Sequence, residues 1–187
     1  MPEVAFETVD YAVENPFEIR EENFPNEITF YAPGLKPHFT SEFSGSLKEF
    51  ISISVTGNNC ALNCEHCNTK MLDSMLDLPS FDGSLFDMAK NLHEKGAKGI
   101  LVSGGSNIRN QVPLLPHMDD MKRIRKELEM VIRVHPGLPD EETCAALADV
   151  DVDGVMLDII GDQETISDVY HLDAPPVDYE AGLERLD

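Results

Sequence analysis

Three of the chain's four cysteines fall within eight positions, inside "VTGNNCALNCEHCNTKML" (Val55 to Leu72). Cys60, Cys64 and Cys67 are separated by three residues and then two. Soft thiolates select iron–sulfur clusters, zinc or copper(I). A loop lets three such side chains converge, and Gly57, Asn58, Asn59 and Asn63 supply turn-prone backbone around them. A 4Fe–4S cluster usually takes four cysteines. Three would leave one iron without a protein ligand, which is the logic of a catalytic site rather than a closed structural one.

The same residues admit other readings. Zinc could take the three cysteines with His66 or His93, although structural zinc sites usually pair two separated ligand clusters. Cys64-Glu65-His66-Cys67 has the spacing of a thioredoxin-like redox pair. Three unrelated core cysteines would share one helix face at spacings of four and three, but the Gly-Asn-Asn lead-in and Asn63 argue against a helix. Cys144, in the amphipathic "DEETCAALADV", reads as a small buried thiol.

The elements that must hold this loop are regular from Glu49 onward. "EFISISV" alternates and is β-branched, so it predicts a strand. "SLFDMAKNLHEKG" carries Leu85, Met88, Ala89 and Leu92 at helical spacing and stops at Gly96. "GILVSGG" is a second strand. "MDDMKRIRKELEM" is a helix with acids first and bases later, matching its dipole. "VIRVHPG" is a third strand, "PDEETCAALADV" a third helix and "GVMLDIIG" a fourth strand. "QETISDVYHL" and "PPVDYEAGLERL" add further helical stretches. Residues 1–48, rich in Pro, Asn and Glu, read as an N-terminal extension in which "NEITFYAP" could be a short strand stopped by proline. Residues 49–187 form the expected core domain.

Strand–helix alternation predicts parallel βα units, in a barrel or an open sheet. In either, the functional residues lie at the carboxyl ends of the strands. The cysteine loop, "SGGS", "HPG" and Asp158 all fall on that one rim. Four units do not close a barrel, and the fourth strand would be an exposed edge. The preferred expectation is a chain truncated after about four βα units; the alternative is a second subunit over the edge.

Composition limits the partners. Acidic residues number 35 against 14 basic ones, a net charge of −21, so most of the surface repels nucleic acids and anionic membranes. An acidic surface promotes solubility; adaptation to high salt is the other reading. No apolar run approaches the roughly 20 residues of a membrane span, and the N-terminus lacks the pattern of a secretory signal. The expected location is cytoplasmic.

Cys-x3-Cys-x2-Cys after the first strand of a βα domain resembles the hallmark of the radical S-adenosylmethionine (radical SAM) superfamily. The resemblance runs from about Phe30 to the C-terminus. "ISVTGNNCALNCEHCNTKML", "SGGS", "VHPGLPD" and "DIIGDQETISDVYHL" look most like proteins of the two-subunit, archaeal-type lipoyl synthase group, relatives of biotin synthase. The fold this implies is α/β, a partial TIM-like (β/α) barrel of the radical SAM type.

The resemblance implies that Cys60, Cys64 and Cys67 ligate a 4Fe–4S cluster and that S-adenosyl-L-methionine is the second cofactor. It implies further that His66 stands where the family has an aromatic residue near the adenine. Ser103, Gly104, Gly105 and Ser106 match the glycine-rich motif that holds the methionine amine, with Ser106 where many members have an acid. His135 and Asp158, at the ends of strands three and four, would face cofactor or substrate, with Asp158 accepting from ribose hydroxyls. Arg109, on the loop with Asn107, could meet a substrate carboxylate. The implied activity is reductive cleavage of S-adenosylmethionine to a 5′-deoxyadenosyl radical, with sulfur insertion into a protein-bound octanoyl chain as the subfamily reading. A radical methyltransferase, a cofactor-maturation enzyme and a non-catalytic metal-binding subunit are the alternatives. The implied partners are a reductant of ferredoxin or flavodoxin type and a sister radical SAM subunit.

Overall fold

The computed structural model describes Glu21, Glu22, Pro25 and residues 49–186. The chain divides into two compact units, Met1–Pro33 and Gly34–Asp187. Most of the expected 1–48 extension, with the strand proposed in "NEITFYAP", lies outside the described residues.

The second unit carries a parallel sheet of five strands: β1 (Phe50–Ser54), β2 (Leu76–Asp77), β3 (Gly99–Ser103), β4 (Val131–Val134) and β5 (Gly154–Val155), in the order β2-β1-β3-β4-β5. Helix α1 (Leu85–Glu94) precedes β3. Helix α2 (Met118–Arg123), continued by a π-helical turn over Ile124–Leu128, precedes β4. Helix α3 (Glu141–Val150) precedes β5, and α4 (Val177–Glu184) follows it. The units β1-α1-β3, β3-α2-β4 and β4-α3-β5 all step to the same side, while the two-residue β2 lies on the other side of β1, reached through the cysteine loop with no α-helix between. Because no helix crosses over between β1 and β2, β2 is a side pairing of the cysteine loop, and the three helix-linked units form the arc expected of a partial (β/α) barrel.

Register explains which face the helices cover. Ile51 pairs with Ile100 and Ile100 with Ile132; Ile53 pairs with Val102 and Val102 with Val134. Side chains alternate across a strand, so these residues share one face. They pack with Leu85, Ala89, Met121, Ile124 and Leu147 of the helices into the main core. The other face is more polar: Ser52, Leu101, Arg133 and Gly154 stand in register across it.

Local chemistry sets the helix starts. Ser84 caps α1 in a reciprocal pair, its Oγ accepting from Asp87 N at 3.3 Å while Asp87 Oδ2 accepts from Ser84 N at 3.0 Å. These bonds satisfy two of the amides left unpaired at a helix start. Asp140 caps α3, accepting from Thr143 N at 2.9 Å.

Two elements differ from the sequence expectation. The two-residue β2 adds a fifth strand, pairing Leu76 with Ile53 and Asp77 with Ser54. The fourth expected strand, "GVMLDIIG", is cut to Gly154–Val155, because it borders only β4, and β4 itself ends before Pro136, whose nitrogen has no hydrogen to donate. Asp158 therefore lies three residues beyond β5 rather than at its tip. No helix among the described residues is long and apolar enough to cross a membrane.

Candidate functional site

The cysteine loop leaves β1 at its carboxyl end and is held from two sides. On one side is the glycine turn after β3. Val55 N donates to Ser103 O at 2.8 Å, Gly105 N to Thr56 Oγ1 at 2.7 Å, and Ala61 N to Ser106 O at 2.8 Å. Gly105 is packed against the Asn59–Cys60 backbone so tightly that a Cβ there would overlap the Asn59 carbonyl. That close approach is reason enough for glycine, independent of any cofactor. Ser103 is buried, and its hydroxyl donates to His135 O at 3.0 Å, tying β3 to β4. Ser106 Oγ donates to Asn110 Oδ1 at 3.1 Å.

On the other side the chain returns after β5. Glu65 N donates to Val169 O at 2.9 Å, and Cys64 Sγ lies 3.7 Å from Tyr170 O. His66 packs on Tyr170 with ring centroids 4.7 Å apart, tilted by 42°. Leu62, Cys64, Ile160, Ile166, Leu172 and Tyr179 form a second hydrophobic cluster, with Cys60, Cys67 and Tyr170 packed against it. The cysteines thus sit in a core of their own, apart from the one beneath the helices.

Burial sets the electrostatics. It pushes the Cys64 thiol from its usual 9.0 up to about 11, with the charges of Cys67 and then Cys60 adding to the rise. Burial also raises the Tyr170 hydroxyl, followed by the negative charges of Asp158, Cys64 and Cys67. Asp158 Oδ2 stands 3.6 Å from His135 Nε2. Its carboxyl titrates below the ordinary range, chiefly through His135, with burial opposing and His66 assisting. Three sulfurs, His66, His135, Asp158 and Tyr170 therefore share one electrostatic neighbourhood on the rim.

Among the described residues no three His, Cys, Asp or Glu side chains gather tightly enough to hold a single metal ion. A single zinc draws all its sulfurs to about 2.3 Å from one point. A cube makes a different demand, because each cysteine binds its own corner. Three thiols on one loop, close enough for Cys60 and Cys67 each to shift Cys64, suit that donor set. Beside Cys60 lies a cleft of about 430 Å³, lined by Thr56, Asn59, Gly105, Ser106 and Gln111 among others. Its size falls in the range of small-molecule sites. Among the described residues neither the Gly104 nor the Gly105 carbonyl accepts a hydrogen bond.

Arg109 does not join this group. It lines a separate hollow of about 730 Å³ with Gln111, Asp140, Asp178 and Arg185. Asn107 shapes its own loop, its Oδ1 accepting from Arg109 N at 2.8 Å and Gln111 N at 3.1 Å. Cys144 is buried in α3, and burial raises its thiol, as a structural cysteine requires. Sequence reasoning missed Thr56, Tyr170 and His171. The available signal was weak: a hydroxyl just after a strand, and an aromatic–His pair at the end of "DQETISDVYHL".

No protein-family model matches the chain, and no curated protein matches it. Among solved structures, methylornithine synthase (PylB) superposes with a TM-score of 0.52 at 14% identity, covering 73% of this chain and 40% of that one. The chain thus spans less than half of that protein's length. At this identity the likeness concerns the fold, and it agrees with the partial barrel seen here.

Proposed function

We propose that this chain is a radical SAM enzyme. The observation that carries the reading is the Cys60-x3-Cys64-x2-Cys67 loop leaving β1 at the carboxyl rim of a parallel βα sheet. Cys60, Cys64 and Cys67 would hold a 4Fe–4S cluster, with S-adenosyl-L-methionine bound beside it. When bound, that pair supplies reductive cleavage to methionine and a 5′-deoxyadenosyl radical, which takes hydrogen from an unreactive carbon.

The chain's own residues do the holding. Cys64, with its thiol pushed up to about 11, keeps its proton when free and gives it up on ligation. The open Gly104 and Gly105 carbonyls are free to accept from an ammonium, which needs acceptors because it carries only donors. Asp158, held below the usual carboxylate range, stays ionised at neutral pH and can accept from ribose hydroxyls. The rings of His66 and Tyr170, packed at a tilt, offer aromatic surface to an adenine. The fold shared with an enzyme, methylornithine synthase, supports a catalytic reading and leaves the substrate open.

The finer reading is sulfur insertion into a protein-bound octanoyl chain. It rests on the local phrases quoted above. It needs a sulfur source, and Cys144 alone cannot hold a second cluster, so a sister subunit or sequence beyond these residues would bring it. A ferredoxin- or flavodoxin-type reductant would supply the electron, in the cytoplasm.

The test is anaerobic reconstitution with iron and sulfide, then reductant and S-adenosylmethionine. Bound iron and labile sulfide with formation of 5′-deoxyadenosine supports the proposal. Bound cluster without that product defeats the enzyme reading, and zinc with no labile sulfide favours a metal-binding structural subunit.

A further inference from the structure

The cysteine loop has a carbonyl between its first and second cysteines, at Leu62, that no residue of the loop satisfies. His171 Nδ1 lies 2.9 Å from it. A carbonyl only accepts, so Nδ1 carries the hydrogen. The other ring nitrogen, Nε2, lies 3.3 Å from Glu65 Oε1, between the second and third cysteines. One imidazole thus reaches both spans of the motif from more than 100 residues away.

The backbone at His171 is unusual. Its φ is +57°, in the left-handed region, which is unfavourable for side chains other than Gly, Asn or Asp. Leu172 N donates across it to Ile166 O at 3.0 Å, closing the preceding helical turn. A turn of this shape calls for glycine. Histidine there is explained by what its ring touches, not by the turn.

The loop has few other restraints on this side. Asn63, Asn68 and Thr69 also have positive φ, so this backbone does not follow a regular ladder. Ala61 is pinned by Ser106 O, and Glu65 by Val169 O. Cys64 is held by Cys67 N and Asn68 N, which donate to its carbonyl, and by its Sγ near Tyr170 O, whereas Leu62 and Asn63 have no other hydrogen bond among the described residues.

We infer that His171 is a positioning residue: a latch that fixes the Leu62–Glu65 segment, and with it the spacing of Cys60, Cys64 and Cys67. Its consequence for cluster retention rests on the radical SAM reading; its effect on the loop does not.

The experiment uses the full chain and two substitutions. His171→Gly removes the ring and suits the left-handed backbone, so it spares the turn. His171→Asn also tolerates that backbone and places an amide N–H near the position of Nδ1. Hydrogen exchange of amides 61–68 in metal-free protein is the first readout. The latch predicts about tenfold faster exchange there in His171→Gly, with the amides of β1, β3 and β4 unchanged, and wild-type behaviour restored in His171→Asn. The second readout is retention of iron and labile sulfide against a chelator, expected to shorten severalfold in His171→Gly and to recover in His171→Asn. Unchanged loop exchange in His171→Gly overturns the latch, as does an Asn variant that behaves like the Gly variant. If wild-type chain takes up no iron and sulfide, the radical SAM reading falls, while the exchange comparison still decides the latch.

Discussion

Gly105 lies against Asn59 with no room for a side chain between them: a Cβ would overlap the Asn59 carbonyl and crowd the Cys60 Cα. The glycine turn after β3 and the cysteine loop after β1 are thus a single packed unit. Gly105→Ala must push the two apart. The expected cost is about 1–3 kcal/mol, as for overpacking a filled site, with loss of most bound iron. Thermal melting and iron analysis of the variant check it. A variant that melts like wild type and holds full iron would contradict the packing.

The thiols divide three against one. Replacing Cys60, Cys64 or Cys67 by Ala should each abolish retention of iron and labile sulfide. Cys144→Ala should keep both and cost about 1 kcal/mol of stability, since it removes only a small buried group. Colorimetric iron and sulfide assays on the four variants are sufficient.

Metal-free protein should lose stability at alkaline pH. Burial holds the Cys64 proton more tightly in the folded chain, pushing the thiol from 9.0 to about 11. In that window the folded state binds more protons than the unfolded one, so stability falls as pH rises. It is fully present below about pH 9 and lost on the way to 11. Melting temperatures across this range should fall more steeply for wild type than for Cys64→Ala.

Ser84 tests the fold separately from the site. Its reciprocal cap with Asp87 starts α1, and removal of such a cap costs about 1 kcal/mol. Ser84→Ala should lower the denaturation midpoint accordingly while leaving iron uptake intact. Loss of uptake in this variant would tie the site to α1 in a way its contacts do not suggest.

Much of the framework was legible locally. Ile51, Ile53 and Val55 alternate with serines, and Leu85, Met88, Ala89 and Leu92 recur at helical spacing, so β1 and α1 could be read from period alone. The same holds for β3, β4 and α3. Two-residue pairings could not. Leu76 and Asp77 of β2 are exposed and carry no alternation; only their register against Ile53 and Ser54 makes them a strand. The shortening of β5 is likewise a matter of neighbours, as β4 has no residue left to pair with it beyond Pro136.

The sequence by itself determined the donor chemistry: three thiols confined to eight positions after a β-branched strand, in a chain whose other cysteine lies in a helix. Covalent spacing keeps those sulfurs close whatever the fold does. Only the tertiary structure decided what holds them. Gly105 meets Asn59, Tyr170 meets Cys64 and His66, His171 meets Leu62, and Asp158 meets His135 across separations of 23 residues or more, up to 109 between His171 and Leu62. Contacts at such range are set by strand order and by the packing of the second cluster. A local pattern carries no information about which distant carbonyl a side chain will find.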